Sequence, residues 1–297
     1  MNEPALGLVL RARAGFYDVE TETGVVQAQL RGRLRRESDE IAIGDRVLVR
    51  VTEGGKVMIE SMQPRERVLS RRDPGREAEQ VLIANPDQAV FVFACADPDP
   101  NFRLMDRLLV MAESVAIPSL ICANKVDLVK PKSAKEEFGE YRDMGYPVLY
   151  TSALKGKGVK ALRKRLKDKI SVFAGPSGVG KSTLLNAIQP GLGLRTEEVS
   201  DIGLGAHTTV VRELLPLESG GYVADSPGLR AFALWDIEPE ELDGYMPDLA
   251  ALVDQCEFSD CTHIHEPGCA VVAAVEAGQI SPERYDSYLR MREGAID

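Results

Sequence analysis

From Gly7 to Met62 the chain alternates apolar and polar positions in short runs, GLVLRARAG, FYDVE, VVQAQLRG, DRVLVRV and KVMIESM, broken by glycine, aspartate and charged turns. A period of two over runs this short predicts half-buried strands. Five of them in sequence fit a small antiparallel barrel of the OB type, a fold that binds oligonucleotides on its open face or serves as a plain spacer. Gln63 to Glu79, with Pro64, Pro74, Gly75 and dense Arg and Glu, reads as a linker. Beyond it the period changes. Apolar strand-like runs at Gln88–Ala96, Ile117–Ala123, Ser171–Ala174 and Gly221–Ala224 alternate with helical patterns at Met105–Ala116 and Gly158–Lys169. Strands alternating with helices imply a parallel, doubly wound sheet, whose ligands belong at the strand ends. After Trp235 the chain becomes acidic and helical.

The 297 residues suffice for several domains, and the longest apolar run, Gln88–Ala96, is too short to span a bilayer. The start, MNEPALGLVL, has neither a basic leader nor a long apolar stretch, so a cytoplasmic protein without a membrane role is expected. Cys95 and Cys122 lie in strand-like runs and read as core thiols, which argues against a disulfide framework. The net charge of −10 is unevenly spread: residues 1–72 carry +2, residues 73–230 are balanced, and residues 231–297 carry −12. A polyanion would therefore meet the N-terminal part, where Arg31, Arg33, Arg35 and Arg36 form either an RNA-binding patch or a solvated basic loop.

Chemistry gathers at four strand ends. Gly175, Pro176, Ser177, Gly178, Val179, Gly180, Lys181, Ser182 and Thr183 fit G-x-x-x-x-G-K-[S/T] after an apolar strand, the context a phosphate loop requires. Its backbone N–H groups would wrap the phosphates at a helix N-terminus, Lys181 would neutralise their charge, and the Ser182 hydroxyl would bind Mg²⁺. The N-K-V-D run ends another strand. Its Asp127 carboxylate can accept two hydrogen bonds from guanine, where adenine offers no such donor pair. Asn124 would brace that loop and contact the base, with the Lys125 stem packed along it. Thr151, Ser152 and Ala153 would present backbone N–H to the guanine oxygen, and Asp225 to Gly228 would hold Mg²⁺ and sense the terminal phosphate.

Such elements predict a P-loop GTPase using GTP/GDP and Mg²⁺. Their order is permuted, since N-K-V-D and T-S-A precede the phosphate loop. Between them Gly205–Thr209 supplies Thr208 and Thr209, one of which should ligate Mg²⁺, and His207, either a water-positioning group or a surface histidine of a switch loop. Leu229 stands where many GTPases carry a water-orienting Gln, so hydrolysis should be slow without an activator. A nucleotide-gated RNA-binding module with negligible turnover is the competing reading. An ATP-dependent enzyme is disfavoured by Asp127.

Cys256, Cys261, His263 and Cys269 supply three thiolates and an imidazole, a set for one closed, structural zinc site, with His265 to spare. The expected architecture is thus multidomain: an OB-type barrel (1–70), a circularly permuted α/β GTPase domain (71–232) and a helical zinc-binding domain (233–297).

The permuted motifs, the barrel and the CTHIHEPGC segment together resemble the RsgA/YjeQ family of GTPases that depend on the small ribosomal subunit, over nearly the whole chain. The resemblance implies a factor that binds that subunit late in its maturation, hydrolyses GTP when stimulated by it, and leaves. It implies contacts to ribosomal RNA and proteins through the barrel and zinc domain; nothing in the sequence demands a dimer. Two positions depart from the family pattern. Ala206 stands where an Arg commonly precedes His-Thr-Thr, and Asp236 follows Leu234-Trp235 where some members carry His.

Overall fold

The computed structural model describes residues 3–13, 15–30, 40–72, 79–194, 213–225 and 237–294. Five strands close the N-terminal barrel: β1 (Ala5–Arg13), β2 (Phe16–Thr21), β3 (Gly24–Leu30), β4 (Arg46–Val51) and β5 (Val57–Met62), in the order β1-β2-β3-β5-β4. Val9, Tyr17, Val19, Ala28, Ile41, Val47, Val49 and Ile59 fill its core. The barrel's register shifts twice, between Val9 and Arg11 where β1 meets β2 and between Leu48 and Val49 where β4 meets β5. A bulge re-aims side chains. Val9 points into the barrel and Leu10 into the core of the next domain by ordinary alternation, and the bulge after Val9 brings Ala12 back to the barrel side.

The stretch read as a linker is partly a sheet. β6 (Val68–Arg72) pairs antiparallel with β7 (Glu79–Ala84). The alternation in this pair is short, and the charged residues between the strands hid it. The hairpin is tied to the barrel through Ala84 N–H donating to Ile43 O at 2.9 Å. Asp45, fully buried, accepts two hydrogen bonds from Arg65, both 2.8 Å, at the same junction.

The central sheet contains β8 (Gln88–Ala94), β9 (Ser119–Asn124), β10 (Val148–Tyr150), β11 (Ile170–Ala174), β12 (Leu215–Pro216) and β13 (Tyr222–Asp225). Their order is β10-β9-β8-β11-β13-β12, all neighbours parallel except β12 on β13. Every residue of β8 is buried, because the period of two divides one apolar run between two cores. Ala89, Phe91 and Phe93 pack with Met105, Leu108 and Leu109 of helix α1 (Phe102–Ser114). Val90, Val92 and Ala94 face the other way. After the short helices α2 (Pro131–Glu137) and α3 (Gly139–Asp143), α4 (Val159–Leu166) and α5 (Lys181–Ile188) cover that second face.

The C-terminal helices α6 (Pro247–Val253), α7 (Ala270–Glu276) and α8 (Pro282–Arg292) bury Leu249, Val271, Ala274 and Tyr288 together with Val110 of α1. Arg284, only 2% exposed, reaches from α8 to Asp106 of α1 at 2.6 Å and to Asp248 of α6 at 2.9 and 3.1 Å. Tyr141 donates to the same Asp106 carboxylate at 2.7 Å. Burial alone would lower the Arg284 guanidinium, but Asp106 and Asp248 raise it above the ordinary arginine value. Cys95 and Cys122 are core thiols as expected, each pushed up to about 12 by burial. Among the described residues no helix is long and apolar enough to cross a membrane.

Candidate nucleotide site and metal centre

Three of the sequence motifs meet at the carboxyl ends of β9, β10 and β11. Asn124 ends β9 and is 1% exposed. Its amide donates to Val179 O in the phosphate loop at 2.8 Å, and its oxygen accepts from the Thr151 hydroxyl at 3.0 Å. Val126 N–H donates to Thr151 O at 3.1 Å, closing the connection from the other side. One buried side chain thus joins Asn124–Asp127, Thr151–Ala153 and Gly175–Thr183. Gly180 is required at the join: its φ of +89° is left-handed, and a Cβ there would lie 2.7 Å from Asn124 Nδ2.

Asp127 is exposed, and a hydrogen bond with Ser152 holds its carboxyl below the usual aspartate range. Lys125 donates to Asp97 O, so its stem runs back over the loop after β8. Lys181 opens α5, and its Nζ donates to Gly175 O at 2.9 Å and Pro176 O at 2.7 Å. Ser182 and Thr183 follow in the first turn, which has no side-chain cap, so its N–H groups face the loop. Asp225 ends β13 in register with Phe173 of β11, and so reaches the same edge of the sheet. Gly228, His207, Thr208, Thr209, Leu229 and the arginines at 31, 33, 35 and 36 lie outside the described residues.

A parallel sheet with this phosphate loop, in which N-K-V-D comes before rather than after it, defines a circularly permuted GTPase. The RsgA GTPase model matches residues 62–235, and the RsgA N-terminal domain model matches residues 6–59. The chain belongs to the RsgA family and is a GTP hydrolase. It is 44% identical to the small ribosomal subunit biogenesis GTPase RsgA of Gemmatimonas aurantiaca, over 99% of this chain and 98% of that protein. The protein of the same name from Caldanaerobacter subterraneus is 41% identical, over 96% and 94%. YjeQ from Thermotoga maritima superposes with a TM-score of 0.83 at 36% identity, covering 99% of both chains. YloQ, described as a circularly permuted GTPase, gives 0.78 at 33%, covering 99% of this chain and 96% of its own.

The metal cluster is also assembled. The ligand atoms of Cys256, Cys261, His263 and Cys269 all lie within 4.8 Å of one another. His263 Nδ1 is 3.4 Å from Cys269 Sγ and 3.6 Å from Cys256 Sγ. Tetrahedral ligation with Zn–S of about 2.3 Å and Zn–N of about 2.0–2.1 Å places nitrogen and sulfur about 3.6 Å apart, so the donor set fits one zinc ion. His263 is fully buried, and its Nε2 lies 2.9 Å from Asp243 Oδ2. A carboxylate there keeps the proton on Nε2 and leaves Nδ1 facing the thiols as a donor for such an ion. The surrounding loop is held from two sides. Glu266 accepts from Thr262, Ile264 and His265 N–H, and Tyr285 and Tyr288 of α8 donate to His263 O and Thr262 O at 2.6 and 2.9 Å. Neither Asp243 nor Glu266 is marked by the ligand spacing; an acidic residue following the paired histidines is the one local cue to Glu266.

Proposed function

We propose that this chain hydrolyses GTP when bound to the small ribosomal subunit, acts late in that subunit's maturation, and dissociates after hydrolysis. It would work in the cytoplasm as a monomer, with residues 1–70, 71–232 and 233–297 as its barrel, GTPase and zinc-binding parts. The reading rests chiefly on the Asn124 link between the N-K-V-D and phosphate loops. That link joins the loop of Asp127 to the loop that starts α5, which supports reading the first as the guanine reader and the second as the phosphate cradle. The names of the relatives supply the ribosomal partner.

In this reading Gly175 to Thr183 cradle the phosphates and Lys181 leaves the two carbonyls it now holds to meet their charge. Asp127 accepts from the guanine edge, Lys125 packs on the ring, and Thr151, Ser152 and Ala153 face its oxygen. Ser182, Asp225 and one of Thr208 and Thr209 would hold Mg²⁺, which neutralises developing charge on the phosphates. Gly228 senses the terminal phosphate, and His207 is the candidate for placing water. Cys256, Cys261, His263 and Cys269 would hold zinc as a structural brace, with no open position for chemistry.

Phosphate release measured with and without purified small subunits tests the activity. Stimulation of about 10³- to 10⁵-fold is expected, by the scale of other GTPase activators. Lys181→Ala should show none. No stimulation of the intact protein would leave only the gated RNA-binding reading.

Asp127→Asn is expected to weaken GTP at least about tenfold, because each hydrogen bond to a charged group contributes about 1.5–3 kcal/mol. The amide donates where the carboxylate accepted, so xanthosine triphosphate should become the better ligand. Competition binding with the two nucleotides checks this, and unchanged GTP preference would exclude Asp127 from base recognition.

A further inference from the structure

The arginines of the barrel are not the densest basic feature of this acidic chain. Between Lys155 and Lys169 there are eight cations and one carboxylate, and all nine side chains are exposed. Lys155 sits in the loop before α4, where its backbone N–H donates to the Ser152 hydroxyl at 3.1 Å. Lys160, Arg163, Lys164 and Lys167 form something else. Their spacing of i, i+3, i+4 and i+7 puts them on one stripe of α4 and its C-terminal cap, over about 10 Å of helix axis. Val159, Leu162 and Leu166 on the opposite side are buried against the sheet, so the stripe is turned outward.

The four cations line a single groove together with Ala187 and Ser219, with no carboxylate among its lining residues. The one ion pair from the stripe to a described residue is Lys167 with its neighbour Asp168, at 4.0 Å. Arg163 spends one N–H on Ile188 O. Cations three and four residues apart on a helix repel each other, and here the pairs 160/163, 160/164, 163/167 and 164/167 all do so. A favourable helix C-terminus offsets part of this for Arg163 and Lys164. Nothing within the described fold offsets the rest.

We propose that this groove docks the phosphate backbone of an RNA helix. A polyanion of regularly spaced phosphates satisfies a row of solvated cations, of which only Lys167 has a carboxylate partner among the described residues, without needing a base-reading pocket, and the groove has no aromatic among its lining residues to stack a base. The groove starts at Gly156 and Gly158, just after the Thr151–Ala153 loop, runs along α4 to Lys167, and is on a different domain from the barrel. The inference deepens the ribosomal reading by naming a surface and a ligand chemistry.

The test compares the intact protein with the triple variant Lys160→Gln, Lys164→Gln, Lys167→Gln. Glutamine keeps helix propensity close to that of lysine. A second triple variant, Lys130→Gln, Lys132→Gln, Lys135→Gln, makes the same charge change on exposed positions elsewhere. Binding to a labelled 18-base-pair mixed-sequence RNA duplex is measured over a series of salt concentrations. The stripe variant is expected to bind roughly ten- to a hundredfold more weakly at 0.1 M salt. Its log–log salt slope should fall by about 2 to 3, since each lost phosphate contact removes about 0.9. The control should keep nearly the full slope, and basal GTP hydrolysis should be the same in all three proteins. Equal losses in the two variants, or no loss in either, would overturn the proposal. Unchanged duplex binding with weakened small-subunit binding would assign the stripe to an acidic protein surface, and would overturn it as well. A protein that small subunits fail to stimulate, but whose duplex binding still depends on the stripe, would defeat the ribosomal reading alone.

Discussion

Removing zinc by chelation, or replacing Cys261 with serine, is expected to unfold the C-terminal helices while the central sheet stays folded. The small core of Leu242, Met246, Leu249, Val271 and Tyr288 is closed by the loop that carries the four ligands. A structural zinc can contribute on the order of 10 kcal/mol to a small domain, more than a core of this size supplies. Cys269 has a second task, since its Sγ accepts from Val272 N at 3.4 Å and caps α7. Metal analysis should give about one zinc per chain. Hydrogen exchange should then show lost protection at 247–292 on chelation, with β8, β11 and α5 little changed. A metal-free protein fully protected across both regions would contradict the structural role.

Replacing Arg284 with methionine should cost about 3–5 kcal/mol, because Asp106 and Asp248 would remain in the interface without their counter-ion. Asp106 is 1% exposed and cannot recover its hydration there. Substituting all three charged residues by apolar ones of similar volume should restore much of the loss, since the ion pairs themselves offset little more than their own desolvation. Chemical denaturation of the single and triple variants measures both effects. A loss below about 1 kcal/mol in Arg284→Met would mean that this network does not hold α8 to α1.

Much of the site was legible because its chemistry resides in contiguous motifs. Gly175–Thr183 follows an apolar strand, Asn124–Asp127 ends another, and either is recognisable without knowing what lies opposite. The barrel was legible for a different reason: its strands are short, regularly broken and alternate. Contacts between distant positions were not. Arg284 is 178 residues from Asp106, and neither residue's neighbours distinguish it from an ordinary surface charge. The same holds for Asp243 beside His263, and for Ala12, which faces the barrel core because of a bulge that periodicity does not announce. Val68–Arg72 was hidden because its charged end continues without a break into the charged residues that follow it in the sequence. The cations of α4 stood within a helix that the sequence predicts, yet their common outward stripe becomes visible only once the sheet-facing side is known.

The place of β8 in the sheet has a consequence for synthesis. This fully buried strand, apolar from Ala89 onward, is flanked by β9 and β11, and its partner Ile170–Ala174 follows it by 76 residues, with four helices and two strands, β9 and β10, between them. At about 5–20 residues per second, the nascent chain carries β8 with one hydrogen-bonding edge unfilled for several seconds. In the unpermuted order the phosphate-loop strand is made first and β8 is added to an existing edge. Here β8 emerges early, and its open edge is filled only when the phosphate-loop strand β11 adds to it, before β13 has been made. The permutation therefore governs how long an aggregation-prone edge is left open on the growing chain, and makes the nucleotide-binding strand the piece that seals it.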